Sequence, residues 1–272
     1  MSGESSAQSA SVAFGKARAE GRGTLVGYLP AGFPSVDGAI EACRVMADAG
    51  VDVIEIGLPY SDPVMDGPVI QRASEQALAA GFRVADVFRT VEAVAATGVP
   101  TLVMTYWNLV ERQGAASFAR DLASAGGAGL ITPDLIPDEA DDWLAASDEY
   151  GLDRVFLVAP SSTDRRIAET TAACRGFVYA TSVMGVTGAR AETSDAAPAL
   201  VARVRAAAGP DSVPVGVGLG VSNGAQAAEV AGFADGVIVG SALVRCLLDV
   251  EPATGRAALR DLTADLAAGV RR

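Results

Sequence analysis

Two acidic residues lie where the sequence otherwise looks like the end of a buried strand. Glu55 interrupts the apolar run Val53–Ile56, and Asp66 follows eleven residues later in a segment of turn-forming residues. A carboxyl group buried among apolar side chains has a raised pKa, which suits a group that must both accept and donate a proton near neutral pH. Glu55 is therefore a candidate acid–base catalyst, although an outward-facing or salt-bridged glutamate would fit the pattern too. Asp66 fits equally well as a catalytic group or as the cap of a helix that starts near Gly67.

The composition leaves few other side chains for proton transfer. The chain contains no histidine and a single lysine, Lys16, near its N-terminus. Ser-His-Asp and Cys-His catalysis are therefore excluded, as is a zinc or iron site with histidine ligands. A Schiff-base mechanism would need Lys16, which precedes the first predicted strand and is poorly placed for it. Acid–base chemistry must rest on Asp, Glu, Tyr or Cys side chains.

Three glycine-rich segments follow the last three predicted strands. They are GVTGAR (185–190), GVGLGVSNG (216–224) and GSALV (240–244). Glycine lets the backbone approach a ligand closely, and the free N–H groups at a helix start favour an anion. Tight turns alone would explain any one segment, but three segments at adjacent strand ends favour a phosphate site. The candidate donors are Gly188, Gly220, Gly240 and Ser241.

The elements that must position these residues alternate regularly along the chain. Short, nearly continuous apolar runs are typical of parallel strands buried on both faces. They predict eight strands, at Thr24–Leu29, Asp52–Ile56, Thr101–Thr105, Ala128–Thr132, Val155–Ala159, Phe177–Thr181, Val213–Val217 and Gly236–Val239. Alanine-rich segments between them predict helices at Ser35–Ala49, Val84–Ala96, Ala115–Ala125, Asp164–Ala173, Asp195–Ala208, Ser222–Ala231 and Pro252–Val270.

Eight such units predict an α/β fold, a single (β/α)8 TIM barrel. We expect an extra N-terminal helix and a short phosphate-binding helix after the eighth strand. Residues 9–272 are expected to form the one barrel domain and residues 1–8 to be disordered. An open doubly wound sheet is the alternative architecture. In a barrel the catalytic residues lie at the carboxyl ends of the strands, where Glu55 and Asp66 would be found.

Composition and charge exclude several classes of partner. The 272 residues carry a formal net charge of -12, with a pI of about 4.5, which argues against nucleic acid and anionic membranes. The three cysteines, Cys43, Cys174 and Cys246, are scattered in a way that predicts neither disulfides nor a metal site. A signal peptide and a membrane-spanning apolar run are not evident. A cytoplasmic protein is expected.

Seven motifs together resemble the tryptophan synthase α chain family. They are GYLPAGFP (27–34), EIGLPYSDPVMDGPVIQ (55–71), MTYWN (104–108), PDLIPDE (133–139), GVTG (185–188) and GLGVS with VGSALV (218–222 and 239–244). The resemblance runs from about Phe14 to the C-terminus. It implies a (β/α)8 barrel that cleaves indole-3-glycerol phosphate to indole and glyceraldehyde 3-phosphate by a retro-aldol step. It also implies an α2β2 complex, in which indole passes to a β chain that holds pyridoxal phosphate, with no cofactor or metal in this chain.

The resemblance assigns roles to individual residues. The family's catalytic glutamate and aspartate correspond to Glu55 and Asp66. Substrate-binding positions correspond to Tyr28, Tyr179, Thr187, Gly188, Gly220, Gly240 and Ser241. Partner-facing positions correspond to Pro59, Asp62 and Asn108. From the sequence alone, Tyr28, Tyr106 and Tyr179 would be read as core aromatics.

The sequence departs from the family pattern at two places. The run Ser182–Met184 precedes the GVTG segment in place of the usual Ser-Arg or Ser-Leu, and Leu219 replaces a common phenylalanine. Neither change touches the expected chemistry. Three other functions remain open from the sequence: a stand-alone indole-glycerol-phosphate lyase, an α chain kept mainly as an allosteric activator of β, and a different phosphate-binding barrel such as a sugar-phosphate epimerase. Many of those epimerases use metal-binding histidines, which this chain lacks.

Overall fold

The computed structural model describes residues 9–181, 196–209 and 212–272. Within these residues the strands form one parallel sheet in the order β5-β4-β3-β2-β1-β9-β8-β7-β6. The strands are β1 (Thr24–Pro30), β2 (Val53–Gly57), β3 (Thr101–Met104), β4 (Gly129–Ile131), β5 (Asp153–Val155), β6 (Leu157–Val158), β7 (Val178–Thr181), β8 (Val215–Gly218) and β9 (Gly236–Val239). Each sequential strand pairs with its predecessor, except that β6 does not pair with β5, and β1 pairs with both β2 and β9.

The sheet closes into a barrel at Phe156. The predicted fifth strand is two short pieces, because β5 pairs with β4 whereas β6 pairs with β7. Phe156 lies between them, where its N–H donates to Cys174 Sγ at 3.4 Å and its carbonyl accepts from the Tyr179 N–H at 3.1 Å. The two edges of the sheet are thus successive residues of one chain. The predicted (β/α)8 barrel is confirmed, and the open doubly wound alternative is wrong.

Helices surround the barrel. They are α1 (Ala10–Ala19), α2 (Val36–Asp48), α3 (Pro68–Ala79), α4 (Ala85–Ala95), α5 (Trp107–Gln113), α6 (Ala115–Ser124), α7 (Asp141–Tyr150), α8 (Asp164–Ala173), α9 (Ala196–Ala208), α10 (Gly224–Ala231), α11 (Ser241–Leu247) and α12 (Pro252–Gly269). The Ser35 side chain caps α2 by accepting from the Gly38 N–H at 3.0 Å. Sequence analysis missed α5, which has only seven residues, and α7, whose first turn is acidic rather than apolar. In the described residues, none of the helices has the length and apolar character needed to cross a membrane.

Alternate strand residues fill the inside of the barrel. Val26, Val53, Leu102, Ile131, Val155, Phe177 and Ile238 form one buried cluster with Ala10 and Phe14 of α1. The Phe14 and Phe177 rings lie 5.1 Å apart, and Phe14 packs over Gly236, where a Cβ would overlap its ring. A second, larger cluster joins the outer strand faces to the surrounding helices. Helix α1 therefore seals the amino-terminal end of the barrel with apolar side chains.

A buried carboxylate fastens this seal. Asp153, at the start of β5, is 1% exposed. It accepts hydrogen bonds from the Ala10 N–H at 2.7 Å and from the Ser9 hydroxyl at 2.8 Å. Burial raises the pKa of Asp153, and the hydrogen bonds from Ala10 and Ser9 oppose that rise. Because the helix start would otherwise expose unpaired N–H groups, Asp153 both caps α1 and holds it against the strands.

Replacing this carboxylate should destabilise the fold. We expect Asp153→Ala to lower the free energy of unfolding by about 1–3 kcal/mol, because the Ala10 N–H and the Ser9 hydroxyl lose a buried acceptor. Asp153→Asn, which keeps one acceptor oxygen, should cost less. Denaturant unfolding would measure both, with Asp142→Ala, an exposed carboxylate of α7, as the matched control. Equal stability of Asp153→Ala and Asp142→Ala would contradict the capping role.

Candidate active site

Glu55 lies inside the barrel near its carboxyl-terminal end. On β2 it is two residues after Val53 of the interior cluster, and it lies beside Tyr28 of β1 and Leu102 of β3. Alternation along the strand therefore points its side chain inward. The side chain is 1% exposed, and its Oε2 atom has no hydrogen-bond partner among the described residues. Among the described residues Glu55 therefore has no salt bridge and does not face outward, and one carboxyl oxygen remains available to a ligand.

The environment of Glu55 favours its protonated form. Loss of water on burial, followed by the negative charge of Asp66, raises the pKa of Glu55 from 4.5 to about 8. At neutral pH the group is mainly protonated, yet it ionises within reach of physiological pH. These are the properties of a residue that can donate a proton and take one back.

Asp66 belongs to the loop between β2 and α3 and does not cap the helix. Gly67 is the N-cap of α3, without a side-chain hydrogen bond, and Pro68 is the first helical residue. The backbone carbonyl of Asp66 accepts from Gln71 Nε2 at 2.8 Å. Burial raises the pKa of Asp66 to about 6, against the effect of a hydrogen bond from the Tyr106 hydroxyl. Of the two roles left open by the sequence, the geometry therefore disfavours the cap.

Tyr106 is a residue of this site that sequence reasoning took for a core aromatic. Its ring is buried, but its hydroxyl accepts from the Val64 N–H at 3.1 Å and from the Met65 N–H at 3.0 Å, besides contacting Asp66. Burial is the main reason that the pKa of Tyr106 is raised to about 12. The available signal was its position, directly after a predicted barrel strand, where a hydroxyl-bearing ring faces the open end.

Tyr28 and Tyr179 form walls beside Glu55. A Cβ on Gly57 would overlap the Tyr28 hydroxyl, and a Cβ on Gly218 would overlap the Tyr179 hydroxyl, so each ring lies across the glycine of a neighbouring strand. Burial raises the pKa of both phenols, and the charge of Glu55 contributes to each rise. Both hydroxyl groups therefore remain protonated at neutral pH and can act as hydrogen-bond donors.

The predicted phosphate donors occupy neighbouring strand ends where the structure describes them. Gly220 follows β8 with a φ of 74°, a backbone conformation that favours glycine. Gly240 follows β9 and begins α11 at the buried Ser241, and its backbone approaches the Tyr28 ring. The two strands are adjacent in the sheet, so these amides face the same end of the barrel. The other two predicted residues, Thr187 and Gly188, lie outside the described residues, as do Ser182–Met184.

The three predicted partner-facing residues line one surface groove of about 430 Å³. Asp62 and Asn108 are exposed, whereas Pro59 is buried in the wall of the groove. Asn108 Nδ2 donates to the Tyr60 hydroxyl at 2.8 Å, and the Tyr60 ring lies 5.0 Å from that of Tyr106. The groove therefore lies on the outer side of the same loop that carries Asp66.

Metal-ligating side chains do not gather in the part of the chain that the structure describes. No group of three or more His, Cys, Asp or Glu residues has the arrangement of a metal site there. Cys43, Cys174 and Cys246 are all free thiols, the first two of them buried. Burial raises the pKa of the Cys43 and Cys174 thiols to about 12, so neither is a nucleophile near neutral pH.

Comparison with known proteins identifies the family. A family model described as tryptophan synthase alpha chain matches residues 14–268. The tryptophan synthase alpha chain of Salinispora arenicola is 70% identical over 262 residues, covering 96% of this chain and 97% of that relative. That of Acidothermus cellulolyticus is 63% identical over 257 residues, covering 94% and 95%. A structure of Mycobacterium tuberculosis tryptophan synthase superposes with a TM-score of 0.90 at 58% identity, over 97% of this chain and 98% of that one. The chain belongs to the tryptophan synthase alpha chain family.

Proposed function

We propose that Glu55 and Asp66 are the catalytic carboxylates with which this chain carries out the reaction of its family. That reaction is the cleavage of indole-3-glycerol phosphate to indole, for use by the β subunit, and glyceraldehyde 3-phosphate; the chain is a lyase of tryptophan biosynthesis. The observation that carries the assignment is the pair of carboxyl groups at the barrel mouth, with pKa values of about 8 and about 6. Two carboxyl groups whose pKa values differ in this way can hold opposite protonation states at neutral pH.

The substrate supplies the electron sink that the protein lacks. Aldol cleavage commonly uses a lysine Schiff base or a metal ion, but Lys16 lies in α1 at the closed end of the barrel. When C3 of the indole ring accepts a proton, the ring becomes an indolenine cation. The electrons of the breaking carbon–carbon bond can then flow to the ring nitrogen. The protein has only to move protons and to stabilise the charge that develops.

Glu55 can perform both proton transfers. In its protonated form it donates a proton to C3 of the indole ring and becomes a carboxylate. The carboxylate then accepts the proton of the glycerol 3′-hydroxyl as the adjacent C–C bond breaks and the aldehyde forms. Glu55 ends each cycle protonated, as its raised pKa requires. A position on a strand holds the carboxyl group fixed between its two proton-exchange partners.

Asp66 is suited to stabilise the positive charge. With a pKa of about 6 it is mainly ionised at neutral pH, so it can accept a hydrogen bond from the indole N1–H. The charge at N1 appears only after C3 is protonated, so this interaction is stronger in the transition state than in the bound substrate. The same negative charge raises the pKa of Glu55 and keeps it protonated before the reaction.

The remaining site residues bind and orient the substrate. Tyr28 and Tyr179 supply apolar ring faces for the indole and protonated hydroxyl groups at its edge. Backbone amides near Gly220 and Gly240, with the Ser241 hydroxyl and the start of α11, offer neutral donors to the phosphate. We assign Thr187 and Gly188 to the same substrate site from the sequence. Binding the phosphate at a distance from the reacting carbon converts binding energy into orientation.

Amide variants test the two carboxylates directly. Glu55→Gln keeps the size of the side chain but cannot exchange protons, so we expect it to lose most of the turnover while retaining the fold. Asp66→Asn removes the charge near N1 and should lower kcat by about 10²- to 10³-fold. Release of indole measures both, with Glu75→Gln, an exposed residue of α3, as the control. Near-normal turnover of Glu55→Gln would contradict the role of Glu55 as the proton shuttle.

The activity should depend on pH in a bell-shaped way. Turnover requires Asp66 ionised and Glu55 protonated, so kcat/KM should fall below a pH of about 6 and again above about 8. The acid limb arises because Asp66 gains a proton, and the alkaline limb because Glu55 loses one. Steady-state assays from about pH 5 to pH 9 would measure the profile. An activity that rises steadily across this range would contradict the assigned protonation states.

We assign the groove of Pro59, Asp62 and Asn108 to contact with the β chain in an α2β2 complex. Its support is the continuity between the groove and the loop that carries Asp66. In that arrangement the pyridoxal phosphate chemistry that joins indole to serine belongs to the β chain, and this chain needs no cofactor.

Free thiols and an acidic surface suit the reducing conditions of the cytoplasm, to which we assign the enzyme.

A charge reversal in the groove tests whether the groove contacts the β chain. We expect Asp62→Arg to weaken association with a β chain by at least about 10-fold, because it reverses an exposed charge within the contact. Size-exclusion chromatography and activation of indole release by β would report the loss. Glu149→Arg, an exposed charge reversal on α7, should leave both measurements unchanged. An unaltered complex with Asp62→Arg would place the β contact elsewhere.

A further inference from the structure

The Tyr106 hydroxyl makes two hydrogen bonds with backbone N–H groups of the loop after β2. It accepts from the Val64 N–H at 3.1 Å and from the Met65 N–H at 3.0 Å, and its hydrogen bond to the next residue, Asp66, lowers the pKa of that carboxyl group. Tyr106 lies 40 residues further along the chain than Asp66, on the N-terminal side of α5. These contacts fasten the loop to a separate element of the barrel.

We propose that Tyr106 is the positioning residue of the reaction: by holding the backbone of Val64 and Met65 it sets where the Asp66 carboxylate lies. The proposal rests on the role of Asp66 given above. Tyr106 acts through Asp66 and does not itself exchange a proton with the substrate.

The direction of the hydrogen bonds explains the effect on charge. Two N–H groups donate to the phenol oxygen, which makes the phenol O–H a stronger donor to the carboxylate. A donor to the ionised form lowers a carboxyl pKa, so this bond opposes the rise that burial causes at Asp66. Tyr106 is itself protonated at neutral pH, since its pKa is about 12. Among the described residues, the other titratable groups that act on this cluster are Glu55, Tyr28 and Asp134.

Tyr106 can position Asp66 because it is itself held firmly. It is the N-cap of α5 in an extended conformation, and the next residue, Trp107, donates its N–H to Asp134 Oδ1 at 2.9 Å. The Tyr60 ring packs on one side at 5.0 Å, and the Tyr60 hydroxyl accepts from Asn108. Tyr106 is 6% exposed. A partner that moves Asn108 would therefore act on the packing of Tyr106 and, through it, on Asp66.

Tyr106→Phe tests the proposal, because it removes the hydroxyl and keeps the ring against Tyr60. We expect kcat for indole release to fall by about 10- to 100-fold, the effect of losing one hydrogen bond to a charged group, with KM changed by less than about 3-fold. The acid limb of kcat/KM should move to higher pH, because Asp66 loses a donor that lowers its pKa. Tyr150→Phe, a hydroxyl deletion on α7, should leave kcat, KM and the profile unchanged.

A second measurement does not depend on turnover. Amide hydrogen exchange at Val64 and Met65 should become faster in Tyr106→Phe and stay unchanged in Tyr150→Phe. Wild-type exchange together with an unmoved acid limb would overturn the proposal. Circular dichroism and thermal unfolding would confirm that the barrel remains folded in both variants.

The double variant Tyr106→Phe/Asp66→Asn distinguishes a failure of this proposal from a failure of the role proposed for Asp66. If Tyr106 acts through Asp66, Tyr106→Phe should cause little further loss in an Asp66→Asn background. A loss of equal size in both backgrounds would mean that Tyr106 acts independently and would overturn the positioning role alone. Full activity of Asp66→Asn would instead contradict the function proposed for Asp66.

Discussion

An ionisable group buried in an apolar barrel is the constraint to which the rest of the site is adapted. Glu55 is 1% exposed and has a carboxyl oxygen without a hydrogen-bond partner among the described residues. Burial of such a group costs stability unless it stays protonated, and its pKa of about 8 reflects that cost. The interior cluster lies on one side of it along the barrel axis, and the phenol rings of Tyr28 and Tyr179 lie beside it. The burial that makes Glu55 costly for folding also raises its pKa to about 8, the property on which its proposed role in proton transfer rests.

Asp153 is also a buried carboxylate, and it differs from Glu55 in its hydrogen-bond partners. Asp153 is as buried as Glu55, but the Ser9 hydroxyl and the Ala10 N–H satisfy it, and it holds α1 across the closed end of the barrel. Glu55, at the opposite end, has one oxygen that finds no partner in the part of the chain that the structure describes. Phe14 and its neighbours close the amino-terminal end of the barrel. The substrate must therefore enter at the other end, where the carboxyl ends of all the parallel strands lie.

The loop after β2 connects the chemistry to the surface. Its inner side carries Asp66, and its outer side borders the groove with Asp62 and Asn108. Tyr60 and Tyr106 lie between these two sides, with their rings in contact. Because the two rings are in contact, a displacement of one displaces the other, so this arrangement connects the groove physically with Asp66.

The sequence by itself predicted the barrel, excluded histidine and Schiff-base chemistry, and singled out the two acids. Eight apolar runs at regular spacing indicate parallel strands buried on both faces, and the missing histidines leave Asp, Glu, Tyr or Cys as the proton carriers. It could not determine whether Asp66 capped a helix, because a cap and a catalyst have the same residue type and the same position in a loop.

Tertiary structure decided that question, since Gly67 caps α3 and Tyr106 reaches Asp66 from another strand end. It also divided the fifth strand at Phe156 and brought the Tyr106 hydroxyl to the backbone of the loop that carries Asp66. The physical reason is common to all three. Local sequence records periodicity and turn preference, whereas pKa values, hydrogen-bond partners and strand closure depend on residues far apart in the chain that only folding brings together.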